Sequence, residues 1–152
     1  MKGEVINGIK YRLDEENLTA EVIKKNGGYK GDIILPKTVE FDEKTYRVTS
    51  IGAIAFDQCE SLTSVVIPDS VTSIGDCAFG DCKSLNFLTI PDSIKSIGKE
   101  AFYCCKSLKT ISYGGTIAQW EKINLANDML EKWNRRSAIN VVHCTDGNMW
   151  VY

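Results

Sequence analysis

Six cysteines and a single histidine are the residues of this 152-residue chain whose types best suit chemistry. His143 stands directly before Cys144, a base beside a thiol, as a cysteine nucleophile needs. Ile139-Asn-Val-Val-His-Cys144 reads as a strand, however, and neighbours along a strand point to opposite faces. The two side chains therefore cannot meet, and no second histidine exists to serve another thiol. Cys59, Cys82 and Cys105 recur every 23 residues. A column of that kind runs along an axis instead of converging on a tetrahedral point, so these three read as small buried hydrophobes with free thiols. Adjacent Cβ atoms one strand spacing apart, ~4.8 Å, exceed the ~3.5–4.5 Å of a disulfide. Cys77 shares its column with Ile54 and Glu100, and Cys104 shares its own with Gln58 and Asp81. Those columns tolerate variety and are read as more exposed, which leaves a Cys77–Cys104 bond open. Asp14-Glu15-Glu16 matches no calcium loop and reads as a solvated turn. Asn17-Leu18-Thr19 fits a glycosylation sequon in what reads as a tight hairpin, where chance explains it better. These residues predict no catalytic site, no cofactor and no metal centre.

The elements that position them are repeats. The segment from Ile51 to Leu62 recurs from Ile74 to Leu85 and again from Ile97 to Leu108, a period of 23. A fixed period of that size marks a solenoid, in which each unit buries its apolar face only against the unit stacked on it. Within one coil, Leu62-Thr-Ser-Val-Val-Ile67 alternates as a short strand, closed by Pro68 and the turn residues Asp69-Ser70; Pro91-Asp92-Ser93 repeats the stop. Val71–Ile74 is a second extended segment, and Gly75 is the corner residue free of Cβ constraints. Ala78, Phe79 and Cys82 then fall at helical spacing, which predicts a single 3₁₀-like turn. Stacked coils bring Phe56, Phe79 and Phe102 into one column and Leu62, Leu85 and Leu108 into another.

The ends depart from the repeat. Ile9–Leu13 and Leu18–Ile23 flank an acidic turn as a hairpin, so residues 1–30 read as an N-terminal hairpin cap. Residues 31–115 carry the repeats. Pro36 to Ile51 spans 15 residues where Pro68 to Ile74 spans six, so nine are inserted, and Val39–Val48 reads as a projecting hairpin. Thr116-Ile-Ala-Gln-Trp-Glu-Lys-Ile123 starts as an N-capped helix with Trp120 and Ile123 on one face. Residues 116–147 form a C-terminal α/β cap, with a longer loop or helix from Asn124 to Arg136, and 148–152 a tail. Trp120 and Trp133 read as cap packing, and Trp150 is left unassigned.

Composition narrows the functional classes. A formal net charge of −2 gives no basic field for a phosphate backbone, so nucleic acid is not an expected partner. No stretch is apolar enough to insert in a membrane, and Met1 to Asn17 lacks the apolar run of a signal peptide. The chain is expected either to work inside the cell or to have had a leader trimmed before Met1.

The repeat Ile-Gly-x-x-Ala-Phe-x-x-Cys-x-Ser-Leu-x-x-Val-x-Ile-Pro-x-Ser-Val resembles the BspA-like, or Treponema-type, bacterial leucine-rich repeat. The likeness covers Gly31 to Gly115. The run Tyr-Gly-Gly-Thr-Ile-Ala-Gln-Trp, with His143-Cys144-Thr145-Asp146-Gly147, is similar to the C-terminal cap of members from gut anaerobes. The resemblance implies a right-handed coil and a cell-surface or secreted protein with adhesive or protein-binding roles toward host or microbial partners. It carries over no catalytic residue.

Alternation assigns two outward columns to the main sheet: Asp32, Ser64, Phe87 and Thr110, and beside them Ile34, Val66, Thr89 and Ser112. An exposed aromatic among hydroxyls is an anchor for a protein or glycan partner, although β-branched and hydroxyl residues also simply suit a solvated sheet. The reading is a monomeric, non-enzymatic binding module using this face or the Val39–Val48 hairpin. Its rival is a structural spacer with no ligand of its own.

Overall fold

Two sheets, visited in turn, account for the alternating apolar segments. The computed structural model describes residues 3–126 and 137–151. Strand β1 (Gly3–Ile6) turns back into β2 (Ile9–Asp14), which pairs antiparallel with β3 (Thr19–Val22). The chain then crosses to β4 (Gly31–Ile34) in the second sheet and returns to the first through β5 (Thr38–Phe41) and β6 (Lys44–Ile51). It continues through β7 (Leu62–Val66), β8 (Ser73–Ile74), β9 (Phe87–Ile90), β10 (Ser96–Ile97) and β11 (Thr110–Tyr113), changing sheet each time. Helix α1 (Ile117–Trp120), β12 (Asn124–Leu125), β13 (Val141–Cys144) and β14 (Gly147–Trp150) complete it. The first sheet runs β1-β2-β3-β6-β8-β10-β12 with β5 on β6; the second runs β14-β13-β11-β9-β7-β4. Coil-to-coil pairings are parallel, with Ser50, Ser73 and Ser96 abreast in one sheet and Val65 beside Leu88 in the other. Asp32 stands beside Ser64 despite a longer separation, because the nine extra residues sit between β4 and β6.

The two sheets are closed at opposite ends. The β1–β2 hairpin extends the first sheet beyond the first coil, whereas β14 extends the second beyond the last. Among the described residues, strand β4 is left as the edge of one sheet and β12 as the edge of the other.

The corner between β6 and β7 is not the 3₁₀ turn that the spacing predicts. Ala55, Asp57 and Cys59 donate to the carbonyls three residues earlier, but the N–H groups between them leave the coil. Ile54 N–H donates to Asp76 O at 2.8 Å, Phe56 N–H to Ala78 O at 2.7 Å and Gln58 N–H to Gly80 O at 2.8 Å. The next corner repeats this with Cys77, Phe79 and Asp81 donating to Lys99, Ala101 and Tyr103. The coil-to-coil ladder thus continues through the bend, and a helix would have consumed its donors. The geometry needs left-handed backbone at two columns: Ile54, Cys77 and Glu100 at φ 54°, 51° and 54°, then Gln58, Asp81 and Cys104 at 61°, 53° and 55°. A β-branched residue is the worst occupant of that region. Ile54 is 46% exposed and so gains little from packing. Ile54→Asn, which tolerates left-handed φ, is expected to raise stability by about 1 kcal/mol. An unfolding midpoint equal to or below wild type would contradict the strain argument.

Inside the corners runs an aromatic column. Phe56 and Phe79 stack with centroids 5.0 Å apart and planes 2° apart; Phe79 and Phe102 follow at 5.8 Å and 21°. All three are buried. The column begins one residue earlier than expected: Tyr29 tilts on Phe56 at 4.8 Å, its hydroxyl donating to Ile23 O and accepting from Lys10 N–H. At the other end Thr116 caps α1 in a reciprocal capping box with Gln119. Trp120 and Ile123 are buried, with Trp120 edge-on to Tyr113 at 5.0 Å.

Three expectations change. The Val39–Val48 hairpin does not project as a free arm: β5 and β6 belong to the first sheet, and Val39, Tyr46 and Val48 are in the core. Asn148 to Trp150 are not a tail, since they pair antiparallel with β13. Of the expected loop or helix from Asn124 to Arg136, Asn124–Leu125 is β12; positions 127–136, Trp133 among them, lie outside the described residues.

Candidate ligand-binding face

The outer side of the second sheet gathers side chains from six strands. Parallel register sets Asp32 beside Ser64 and Ser64 beside Phe87. Ser112 stands beside Thr89, which puts Thr110 beside Phe87 by the two-residue repeat of the pleat. Thr110 stands beside Val141, and Val141 beside Trp150. The second row is Ile34, Val66, Thr89, Ser112, His143 and Asn148. The eight residues assigned from the sequence therefore share one face in two continuous rows. Alternation predicts those eight because β4, β7, β9 and β11 all keep apolar residues on the inner side: Val65, Leu88 and Ile111 are fully buried.

The rows also include Val141, His143, Asn148 and Trp150, which the sequence reading did not assign. The signal was available in Cys144-Thr-Asp-Gly147, a two-residue hairpin connection that returns the chain antiparallel. Asp146 Oδ1 accepts from Ile117 N–H at 2.9 Å, and Thr145 N–H donates to Gly115 O at 2.9 Å, which fixes that hairpin to α1.

Exposure along the rows is uneven. Ile34 is 78% exposed, Trp150 57% and Phe87 49%. Thr63 and Ser64 hydroxyls both donate to Asp32 Oδ1 at 2.7 Å and hold its carboxyl below the usual range. The Thr89 hydroxyl is covered and has no partner among the described residues, so as placed it offers nothing to a ligand. His143 Nδ1 lies 2.7 Å from Asn148 Oδ1. An amide oxygen accepts only, so Nδ1–H donates in this pair. Cys144 turns the other way and packs against the core, so the adjacent base and thiol stay apart.

The buried thiols serve packing. Cys82 Sγ donates to Phe56 O at 3.1 Å and Cys105 Sγ to Phe79 O at 2.9 Å, while Cys59 Sγ accepts from Tyr29 N–H at 3.2 Å. The neighbouring Cys105 thiol, and then burial, push the Cys82 thiol far above its ordinary range, which keeps it from acting as a nucleophile.

A shallow depression beside the Lys24–Lys30 loop is bounded by Asp57 and Glu60. Two of its cations are engaged: Lys24 Nζ is 3.3 Å from Asp57, and Lys25 Nζ donates to Gly8 O at 2.8 Å and lies 4.9 Å from the Tyr29 ring centre. Among the described residues no helix is long and apolar enough to cross a membrane.

The repeat signature of the BspA type leucine rich repeat region matches residues 37–143 in six copies. The chain belongs to the BspA-type leucine-rich repeat family. The fold of this BspA-type chain is similar to that of a leucine-rich repeat protein from Bacteroides ovatus, with 35% identity and a TM-score of 0.64 over 74% of this chain and 31% of that one. A leucine-rich repeat protein from Bacteroides capillosus is similar over 93% of this chain and 97% of its own, with 25% identity and a TM-score of 0.74. A leucine rich cell surface protein from Faecalibacterium prausnitzii shares the fold, at 24% identity and a TM-score of 0.60 over 93% of this chain and 45% of that one. The chain thus spans about a third of the B. ovatus protein and nearly all of the B. capillosus one. No curated protein matches it. The leucine-rich repeat is in general a fold for interaction, not catalysis.

Proposed function

We propose that this chain is a non-enzymatic binding or adhesion module of a cell-surface or secreted protein, a monomeric right-handed coil of 23-residue units with its ligand on the outer face of the second sheet. The observation that carries this reading is the row in which Phe87 stands half exposed between Ser64 and Thr110, and Trp150 half exposed beyond the buried Val141, in register across six strands. A wide array of side chains at regular ~4.8 Å spacing is a surface that short corners cannot offer. The surface location draws support from the F. prausnitzii relative, described as a cell surface protein.

For a macromolecular ligand retained by the immobilised chain, Phe87→Ala is expected to weaken binding by about 2 kcal/mol or more, the range of a hot spot. The melting temperature should stay near wild type, because the side chain is half exposed. An affinity that ignores Phe87 and Val66 but falls on Phe41→Ala would move the site to the β5–β6 hairpin, where Phe41 is 38% exposed. Retention of no ligand at all would favour the spacer.

A further inference from the structure

We propose that the ligand of this face is an uncharged glycan chain lying across the strands, its sugar rings stacked on Phe87 and Trp150. The inference rests on the binding reading above and names its ligand class.

The aromatic spacing comes first. Phe87 and Trp150 share a row three strand steps apart, about 14 Å at ~4.8 Å per strand, and both rings are about half exposed. Pyranose rings present patches of weakly polarised C–H groups that pack against the electron-rich face of an aromatic ring. Two rings separated along one row therefore suit an extended chain of sugars better than one compact ligand.

The polar groups beside them are of the matching kind. Thr110 and Ser112 offer hydroxyls, and the Asn148 amide offers N–H donors beside the His143 ring that its oxygen holds. Neutral groups that both give and accept hydrogen bonds complement sugar hydroxyls, which do the same.

Charge decides against a polyanion. Charged residues make up 25% of the chain, yet the two rows hold only Asp32, at the far edge from Trp150 and already accepting from Thr63 and Ser64. The ion pairs Lys37–Asp69 and Lys44–Glu15 involve no residue of either row. A polyanion would find no arginine or lysine in these rows to neutralise its charge. A neutral polysaccharide needs none.

The test is affinity electrophoresis of the full chain through gels containing a mixed-linkage β-glucan, a xylan or a mannan, with heparin as the charged control. Retardation by at least one neutral polysaccharide is expected, unchanged by added salt and weakened tenfold or more in both Trp150→Ala and Phe87→Ala, while both variants melt as wild type. The inference is overturned if no neutral polysaccharide retards the chain, if both variants are retarded equally with wild type, or if only heparin binds. A protein ligand held through Phe87 while every polysaccharide passes freely would leave the binding face standing and remove the glycan. A ligand indifferent to the whole face would remove the reading beneath it.

Discussion

Phe79→Ala is expected to destabilise the protein by about 3–5 kcal/mol. Its ring is fully buried and held on both sides, 5.0 Å from Phe56 and 5.8 Å from Phe102. Truncation loses the transfer free energy of the ring and leaves a void whose walls are two aromatic faces pinned by the inter-coil ladder of the corners. Those walls cannot close without breaking bonds such as Phe56 N–H to Ala78 O and Phe79 N–H to Ala101 O. In a solenoid each coil touches only its neighbours, so damage to the middle coil also weakens the coupling between the two ends. Urea unfolding followed by circular dichroism should show a lower midpoint, with a broadened or split transition as the ends uncouple. A midpoint equal to wild type would mean that the ring column does not hold the coils together.

Gly75→Ala is expected to cost about 3 kcal/mol. A Cβ at this position would come within 2.5 Å of Ala53 N, 2.7 Å of Gly52 C and 2.9 Å of Ala53 Cα. All of these are backbone atoms of the preceding coil, and backbone cannot rotate aside as a side chain can. Gly98 meets the same barrier, its Cβ falling 2.4 Å from Asp76 N. The coils would have to part locally, lengthening the ladder on both sides. Gly8→Ala is the control: Gly8 has φ +84° with nothing within 4 Å, so it should show only the conformational penalty of about 1 kcal/mol. Equal losses in the two variants, read from chemical denaturation, would show that coil contact is not what requires the glycine.

The same residue shows what the sequence does and does not reveal. Gly75 is recognisable as a corner, but not that it is needed for space rather than for a left-handed backbone. At these corners the residues that adopt left-handed φ are Ile54, Cys77, Glu100, Gln58, Asp81 and Cys104, none of them glycine or asparagine. Their types gave no warning, and helical spacing of Ala78, Phe79 and Cys82 pointed instead to a 3₁₀ turn. What overrides that local preference is the neighbouring coil, whose carbonyls take the alternate N–H groups.

Strand faces were easier. Burial on one side of a pleat forces period-two alternation, so Asp32, Ser64, Phe87 and Thr110 could be placed together before any coordinates. Tyr29 was hidden because it sits 27 residues before Phe56, out of phase with the repeat. Trp150 was hidden because its partner strand is antiparallel and lies beyond the last repeat. Both are cap residues, where the periodicity that made the rest legible stops.

Because one cap extends the first sheet and the other the second, no strand pairing among the described residues joins the two ends of the molecule. Duplicating residues 73–95 would add one rung to each sheet, since Ser73 and Ser96 already occupy equivalent places. Each outer row would grow by one side chain while both ends kept their present neighbours. Reach is thus adjustable in steps of one strand, by tandem duplication alone, without redesign of either terminus.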